Sequence, residues 1–313
     1  MAVSLIPETI ESLHSRPPQN LRRRRRLQGG LVNLLYLPAL LLFAVFTVYP
    51  LISGIGLSFT NWDGYSPEKA SVGLANYARL FQDDTFRMVL INTVVYGFGS
   101  TLFQQVFGLG LAMALDRPLR GRGAARAIIY LPVLVSPVIM GTMYYLLFGY
   151  NNGAFNEIVT FFGMDRVAWL SNSTASIAVI VGVNTLQFVG ISMIIYLAGL
   201  QSIPGEYYEA AMLDGARGWK QFTNITLPLL QPAFATSMIL NLIGGLKLFD
   251  VIKVMTNGGP GYSTNSVSTL IGVVYFDNQS AGYASAMGVV LFMIIVLFTL
   301  VLNTLLNRRH LEA

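Results

Sequence analysis

Asn184, Gln187 and Phe188 fall three and four positions apart, so a helix would carry two amides and an aromatic ring on one face. Asn241, Gly244, Gly245 and Leu248 repeat that spacing further along the chain. The chemistry such groups offer is recognition: amides hydrogen-bond polar solutes, and rings and apolar faces cover C–H surface. The same residues suit helix packing equally well, because glycines let two helices approach closely. Covalent chemistry is not on offer. The two histidines, His14 and His310, stand near opposite ends of the chain, and there is no cysteine. No thiolate, disulfide or metal site is therefore expected, and no catalytic cluster of carboxylates, histidine or nucleophile with base is visible. The nearest approach to a phosphate-binding G-x-x-x-x-G-K-[ST] loop is Gly215 to Lys220, which lacks the spacing and the hydroxyl. Lys247 and Asp250 stand at i, i+3 and are expected to neutralise each other. That leaves no free cation for an anionic solute and favours a neutral one.

The elements that must hold these faces are apolar. Hydrophobic residues make up 54% of the 313 positions and charged residues 11%, against about a quarter charged in a soluble domain; the mean hydropathy is +0.57. The charges cluster, and the stretches between them reach the roughly 20 residues that cross a bilayer. Spans are expected at about Leu31 to Leu57 (bent near Pro38), Met88 to Leu115, Arg126 to Phe148, Ser176 to Leu200, Pro228 to Val251 and Ala284 to Leu306. The chain reads as an all-α integral membrane protein with about six transmembrane helices. Residues 1–30 read as a cytoplasmic basic tail ending in the run Arg22 to Arg26, and 31–313 as the membrane domain. Lysine and arginine favour the cytoplasmic side of short loops. With both termini inside, fourteen of the twenty basic residues fall on inner segments and five on outer loops, which supports the count and the orientation. The net charge of +5 thus belongs to topology, and nucleic acid is not an expected partner.

Between the fourth and fifth spans, residues 201–228 read as a short helix, a glycine break and a second short helix. Ser202 can cap the first helix, Pro204 suits its first turn, and Glu206 and Glu209 favour its positive end. Gly215 can take the left-handed conformation that stops it. Glu209-Ala210-Ala211, then Asp214-Gly215, then Ile225-Thr226-Leu227-Pro228 resembles the EAA loop of binding-protein-dependent ABC importer permeases, with each position filled at the expected spacing. Thr256-Asn257-Gly258-Gly259-Pro260 is similar to a segment of the sugar-importer branch of that family, as is Gly73 to Tyr77. The likeness is to six-helix members, without the added amino-terminal helices and large insertion of the maltose-type subunit.

The resemblance implies a MetI-like ABC importer permease fold in the cytoplasmic (inner) membrane of a prokaryote. It implies transport of a sugar, such as an oligosaccharide or related glycoside. Glu209, Ala210, Ala211, Asp214 and Gly215 would form the helix that docks on an ATPase. Asn184, Gln187, Phe188, Asn241, Gly244, Gly245 and Leu248 fall where the sugar branch contacts its solute. The implied partners are a second homologous permease, two ATPase subunits that bind ATP and magnesium, and an extracytoplasmic solute-binding protein. This chain itself would hold no cofactor and would not be an enzyme. Import of a glycerol-phosphate or another polyol is the alternative. An ion-coupled secondary transporter fits less well, since intramembrane acids are few and no internal repeat is seen.

Overall fold

The computed structural model describes residues 36–307. The tail 1–30 with its arginine run, His14, Arg308, Arg309 and His310 lie outside the described residues. The chain divides into two units, one ending at Gly54 and the other beginning at Ile55. Among the described residues the fold is helical, with a single isolated β-bridge between Thr60 and Ser71.

The first helix, α1 (Leu37–Leu57), is apolar throughout. Pro38 stands at the start of the described helix, where a missing N–H costs nothing; residues 31–35, which the expected span also included, lie outside the described residues. Within the helix an irregularity falls at the π-helical turn Ala44–Val48, next to Pro50. A proline removes one backbone donor, and a wider turn accommodates the loss.

In the second unit, α2 (Ala75–Gln82) leads into the 33-residue α3 (Asp84–Asp116). Asp83 starts α3 by accepting from the backbone N–H groups of Thr85 and Phe86 at 2.9 and 3.2 Å. The resemblance residues Asn76 and Tyr77 have a structural use. The Asn76 amide donates to Ser58 O and Thr60 O, both at 2.8 Å, and the Tyr77 hydroxyl meets Ser58 Oγ at 2.7 Å. In the turn before them Asp63 accepts from the backbone of Tyr65 and Ser66, which holds its carboxyl below the ordinary carboxylate range.

The third expected span is two helices, α4 (Arg122–Leu134) and α5 (Pro137–Leu147), bent by 98°. Ser136 takes an extended conformation because the following Pro137 crowds the helical region, and Pro132 already weakens the last turn of α4. After the short α6 (Ala154–Phe161) comes α7 (Ser173–Gln201). The buried side chain of Asn156 organises the segment between α5 and α7. It donates to Tyr150 O and Val167 O and accepts from Val167 N and the Trp169 indole.

Next come α8 (Gly205–Leu213) and the helical turns Trp219–Gln221, Phe222–Thr226 and Leu227–Leu229. The fifth expected span is also interrupted. Helix α9 (Gln231–Leu246) has 16 residues, the chain is non-helical at Leu248 and Phe249, and α10 (Asp250–Met255) restarts it. The buried Ser266 hydroxyl pins this break by donating to Leu248 O at 2.6 Å. The Gly-Gly-Pro segment that follows is a tight knot. Thr256 Oγ1 meets Thr264 Oγ1 at 2.8 Å, and the Thr264 hydroxyl reaches Gly259 O at 2.8 Å. Helices α11 (Val267–Asp277) and α12 (Ala281–Asn307) complete the described chain.

By length and composition four helices can cross a membrane, α1, α3, α7 and α12, and a fifth if α4 and α5 form one bent span. Helix α9, the remaining one of the six expected, is shorter than the roughly 20 residues of a straight crossing. Within the second unit α3 lies along α7, and α9 packs on both. The core around Tyr96, Ile180, Val251 and Ile252 sits at one end of this group. The one around Ala112, Met193, Tyr196, Leu200 and Leu230 sits at the other.

Candidate solute cavity and docking helix

Helices α3, α7 and α9 and the α9–α10 break line a half-open cavity of about 320 Å³. That volume lies at the lower end of the roughly 300–1,000 Å³ typical of small-molecule sites. Asn184 and Phe188 reach it from α7, and Asn241, Gly244 and Gly245 from α9, with Leu248 in the break. Gln187 is the one expected residue that does not line it. It is fully buried toward the α4–α5 bend, where its amide approaches Val135 O at 3.4 Å.

Gln104 of α3 is a wall residue that helical spacing within α7 and α9 could not reveal. Its side-chain N–H donates to Asn184 O at 3.0 Å, and its carbonyl oxygen is buried with no partner. Asn241 donates to Ser192 Oγ at 2.6 Å. Phe249 and Ile191 supply apolar wall. The cavity thus offers amides, aromatic faces and aliphatic surface, together with the side chains of Lys247 and Asp250. Among the described residues no group of three or more His, Cys, Asp or Glu side chains could hold a metal.

The two glycines divide the roles that sequence left open. A Cβ on Gly245 would meet the backbone of α3, 2.8 Å from Gly97 Cα, so this glycine is a packing contact. A Cβ on Gly244 would meet no atom within 4 Å, and its face is left to the cavity. We expect Gly244→Phe to lower solute uptake at least tenfold while the amount of assembled protein in the membrane stays at the wild-type level. Immunoblot and radiolabelled uptake on the same cells would check it.

Lys247 and Asp250 also line the cavity, and the expected pairing between them is absent. The ion pairs among the described residues are Arg87 with Asp84 and Arg166 with Glu157. The correction has a simple cause. The i, i+3 rule needs a continuous helix, and here Lys247 ends α9 while Asp250 begins α10. The cavity wall therefore carries a cation and an anion that no ion pair cancels.

About 25 Å along α7 from Asn184, at 1.5 Å per residue, the chain leaves the bundle and forms α8. Ser202 does not cap this helix; it sits at the end of α7 and donates back to Gly199 O at 2.7 Å. Pro204 stands at the N-cap position of α8 instead. The stop is as expected. Gly215 has φ +76°, Gly215 N–H donates to Met212 O at 3.1 Å, and Ala216 N–H donates to Ala211 O at 2.8 Å. That pair of bonds is a Schellman ending. Glu209, Ala210, Asp214 and Gly215 are exposed and Ala211 is half-buried. Tyr208 ties the helix to the next turns, its hydroxyl 3.0 Å from Thr226 Oγ1. Leu213 and Trp219 are 90% and 74% exposed, an apolar edge beside the acidic face. The core at this end joins α3 and α4 to the ends of α7 and the start of α9, which puts the basic turn Arg117 to Arg126 at the same end as α8. There the Arg126 guanidinium donates to Leu115 O near the end of α3 at 2.9 Å.

A helical bundle with a largely apolar cavity that carries a few amides and two charged side chains, and with an exposed, glycine-stopped helix, narrows the possibilities. Residues 106–311 match the family described as binding-protein-dependent transport system inner membrane component. The chain belongs to that family. It is 35% identical to the trehalose/maltose transport system permease protein MalF of Thermococcus litoralis, over 88% of this chain and 92% of the relative. It is 33% identical to the diacetylchitobiose uptake system permease protein NgcF of Streptomyces coelicolor, over 96% and 90%. Among solved structures, a chain of a bacterial ABC transporter that imports the acidic polysaccharide alginate superposes with a TM-score of 0.79. There the identity is 25%, over 92% of this chain and 98% of that one. As a member of this family, the chain is a multi-pass transport permease subunit.

Proposed function

We propose that this chain forms half of the solute pathway of an ATP-driven sugar importer, working beside a second, related permease. Two ATPase subunits bind ATP and magnesium below it, and an extracytoplasmic binding protein delivers an oligosaccharide or related glycoside from above. The distribution of basic residues supports a topology with both termini in the cytoplasm. The observation that carries this reading is that α7, which brings Asn184 and Phe188 to the cavity, leads directly into the exposed helix α8. A push on α8 acts on the helix that carries Asn184 and Phe188 of the cavity wall. The trehalose/maltose and diacetylchitobiose relatives support a glycoside as cargo.

In cells carrying the complete operon, uptake should stop when ATP is depleted and continue when ion gradients are dissipated by an uncoupler at constant ATP. Uptake that follows the ion gradient at constant ATP would replace this reading with an ion-coupled transporter.

A further inference from the structure

We infer that Lys247 and Asp250 are the specificity-determining pair of the cavity, and that together they select an uncharged, polyhydroxylated solute. The inference rests on the importer reading above and names the solute class of the same site. Both charges line the cavity, neither forms an ion pair, and the other lining residues are neutral. Their positions explain why the fold tolerates them. Lys247 stands at the carboxyl end of α9 and Asp250 in the first turn of α10, so each faces the helix-end partial charge that favours it. The break that separates them is held open by the Ser266 hydroxyl on Leu248 O.

A solute entering such a wall must satisfy an ammonium, which only donates, and a carboxylate, which only accepts. A hydroxyl does both, so neighbouring hydroxyls on one ring can accept from Lys247 and donate to Asp250 without stranding either. A uronate or phosphate ester gains at Lys247 and is repelled at Asp250; a cationic solute meets the reverse. Phe188 and Phe249 then cover the apolar faces of the ring, and Gly244 leaves room for it.

The test uses the purified complete assembly without its binding protein, so that delivery does not set the preference. The probes are maltotriose as neutral glycoside and trigalacturonate as its acidic counterpart, read by equilibrium binding. Wild type is expected to bind the neutral trisaccharide at least tenfold tighter than the uronide. Asp250→Asn, which removes the charge and keeps the size of the side chain, should bring the two affinities within threefold. Lys247→Gln should weaken maltotriose at least tenfold and the uronide more. Unchanged affinities in both variants would overturn the inference. So would a wild-type preference for the uronide, or loss of the second permease from the variants, which would make these charges an assembly contact. If wild type holds ATPase subunits and only the binding results fail, the importer reading survives. If wild type holds none, that reading fails and the inference falls with it.

Discussion

Replacing Gly245 with valine should cause the largest loss of stability of any single change at the cavity. The reason is a glycine-to-glycine crossing. A Cβ at Gly245 would lie 2.8 Å from Gly97 Cα and 3.0 Å from Ser100 Oγ, and a Cβ at Gly97 would lie 2.7 Å from a methyl of Leu246. Two of those neighbours belong to an α3 helix that is itself fixed against α7, so the clash has no soft side on which to relax. Overpacking of this kind costs about 1–3 kcal/mol and sometimes more. Gly244→Ala is the internal control, since its Cβ would enter open space and alanine favours a helix by roughly 1 kcal/mol over glycine. Thermal unfolding of the purified assembly in detergent should therefore move in opposite directions for the two variants. Equal shifts would mean that α3 and α9 do not meet at this point.

Gly215→Val should produce the largest loss of function. Gly215 has φ +76° at the end of α8, where a non-glycine residue costs about 1–2 kcal/mol and a β-branched one is a genuine outlier. Two backbone bonds depend on that conformation, Gly215 N–H to Met212 O and Ala216 N–H to Ala211 O. Losing them unwinds the turn that fixes how Glu209 and Ala210 are presented. We expect solute-stimulated ATP hydrolysis to fall at least tenfold, with the chain still inserted. Gly215→Asn should keep most activity, because asparagine enters the left-handed region more readily. Glu209→Lys, on the exposed face, should reproduce the loss without altering the helix. If Gly215→Asn and Gly215→Val were equally inactive, the side chain and not the backbone conformation would be at fault.

The path from residues to structure was uneven for physical reasons. The stop of α8 was readable because a left-handed glycine is a local requirement, set by the residue alone. The cavity residues on α7 and α9 came from the resemblance to the sugar-importer branch, and helical periodicity added only that they share a direction. That grouping is coarse. Asn184 and Phe188 therefore reach the cavity, while Gln187, on the same stripe, turns toward the α4–α5 bend. The bend itself follows from Pro132 and Pro137, both visible in the chain, although hydropathy alone joined them into one span. The α9–α10 break depends on Ser266, which lies beyond the knot at Gly258 to Pro260. No local rule connects Ser266 to Leu248, so Lys247 and Asp250 read as a paired turn of helix. Gln104 was out of reach for the same reason: its place in the wall comes from packing of α3 against α7.

The most direct test of the account uses the fact that the chain has no cysteine. Ala210→Cys puts a single thiol on the exposed face of α8, and Tyr262→Cys puts one on the loop expected on the other side of the membrane. Each variant, in membranes containing the whole assembly, would be labelled with a photoreactive maleimide and irradiated. The account predicts that the Ala210→Cys variant captures an ATPase subunit, that added ATP changes the yield, and that the Tyr262→Cys variant captures none. Failure of the Ala210→Cys variant to capture an ATPase, in membranes that still take up sugar at the expense of ATP, would contradict it.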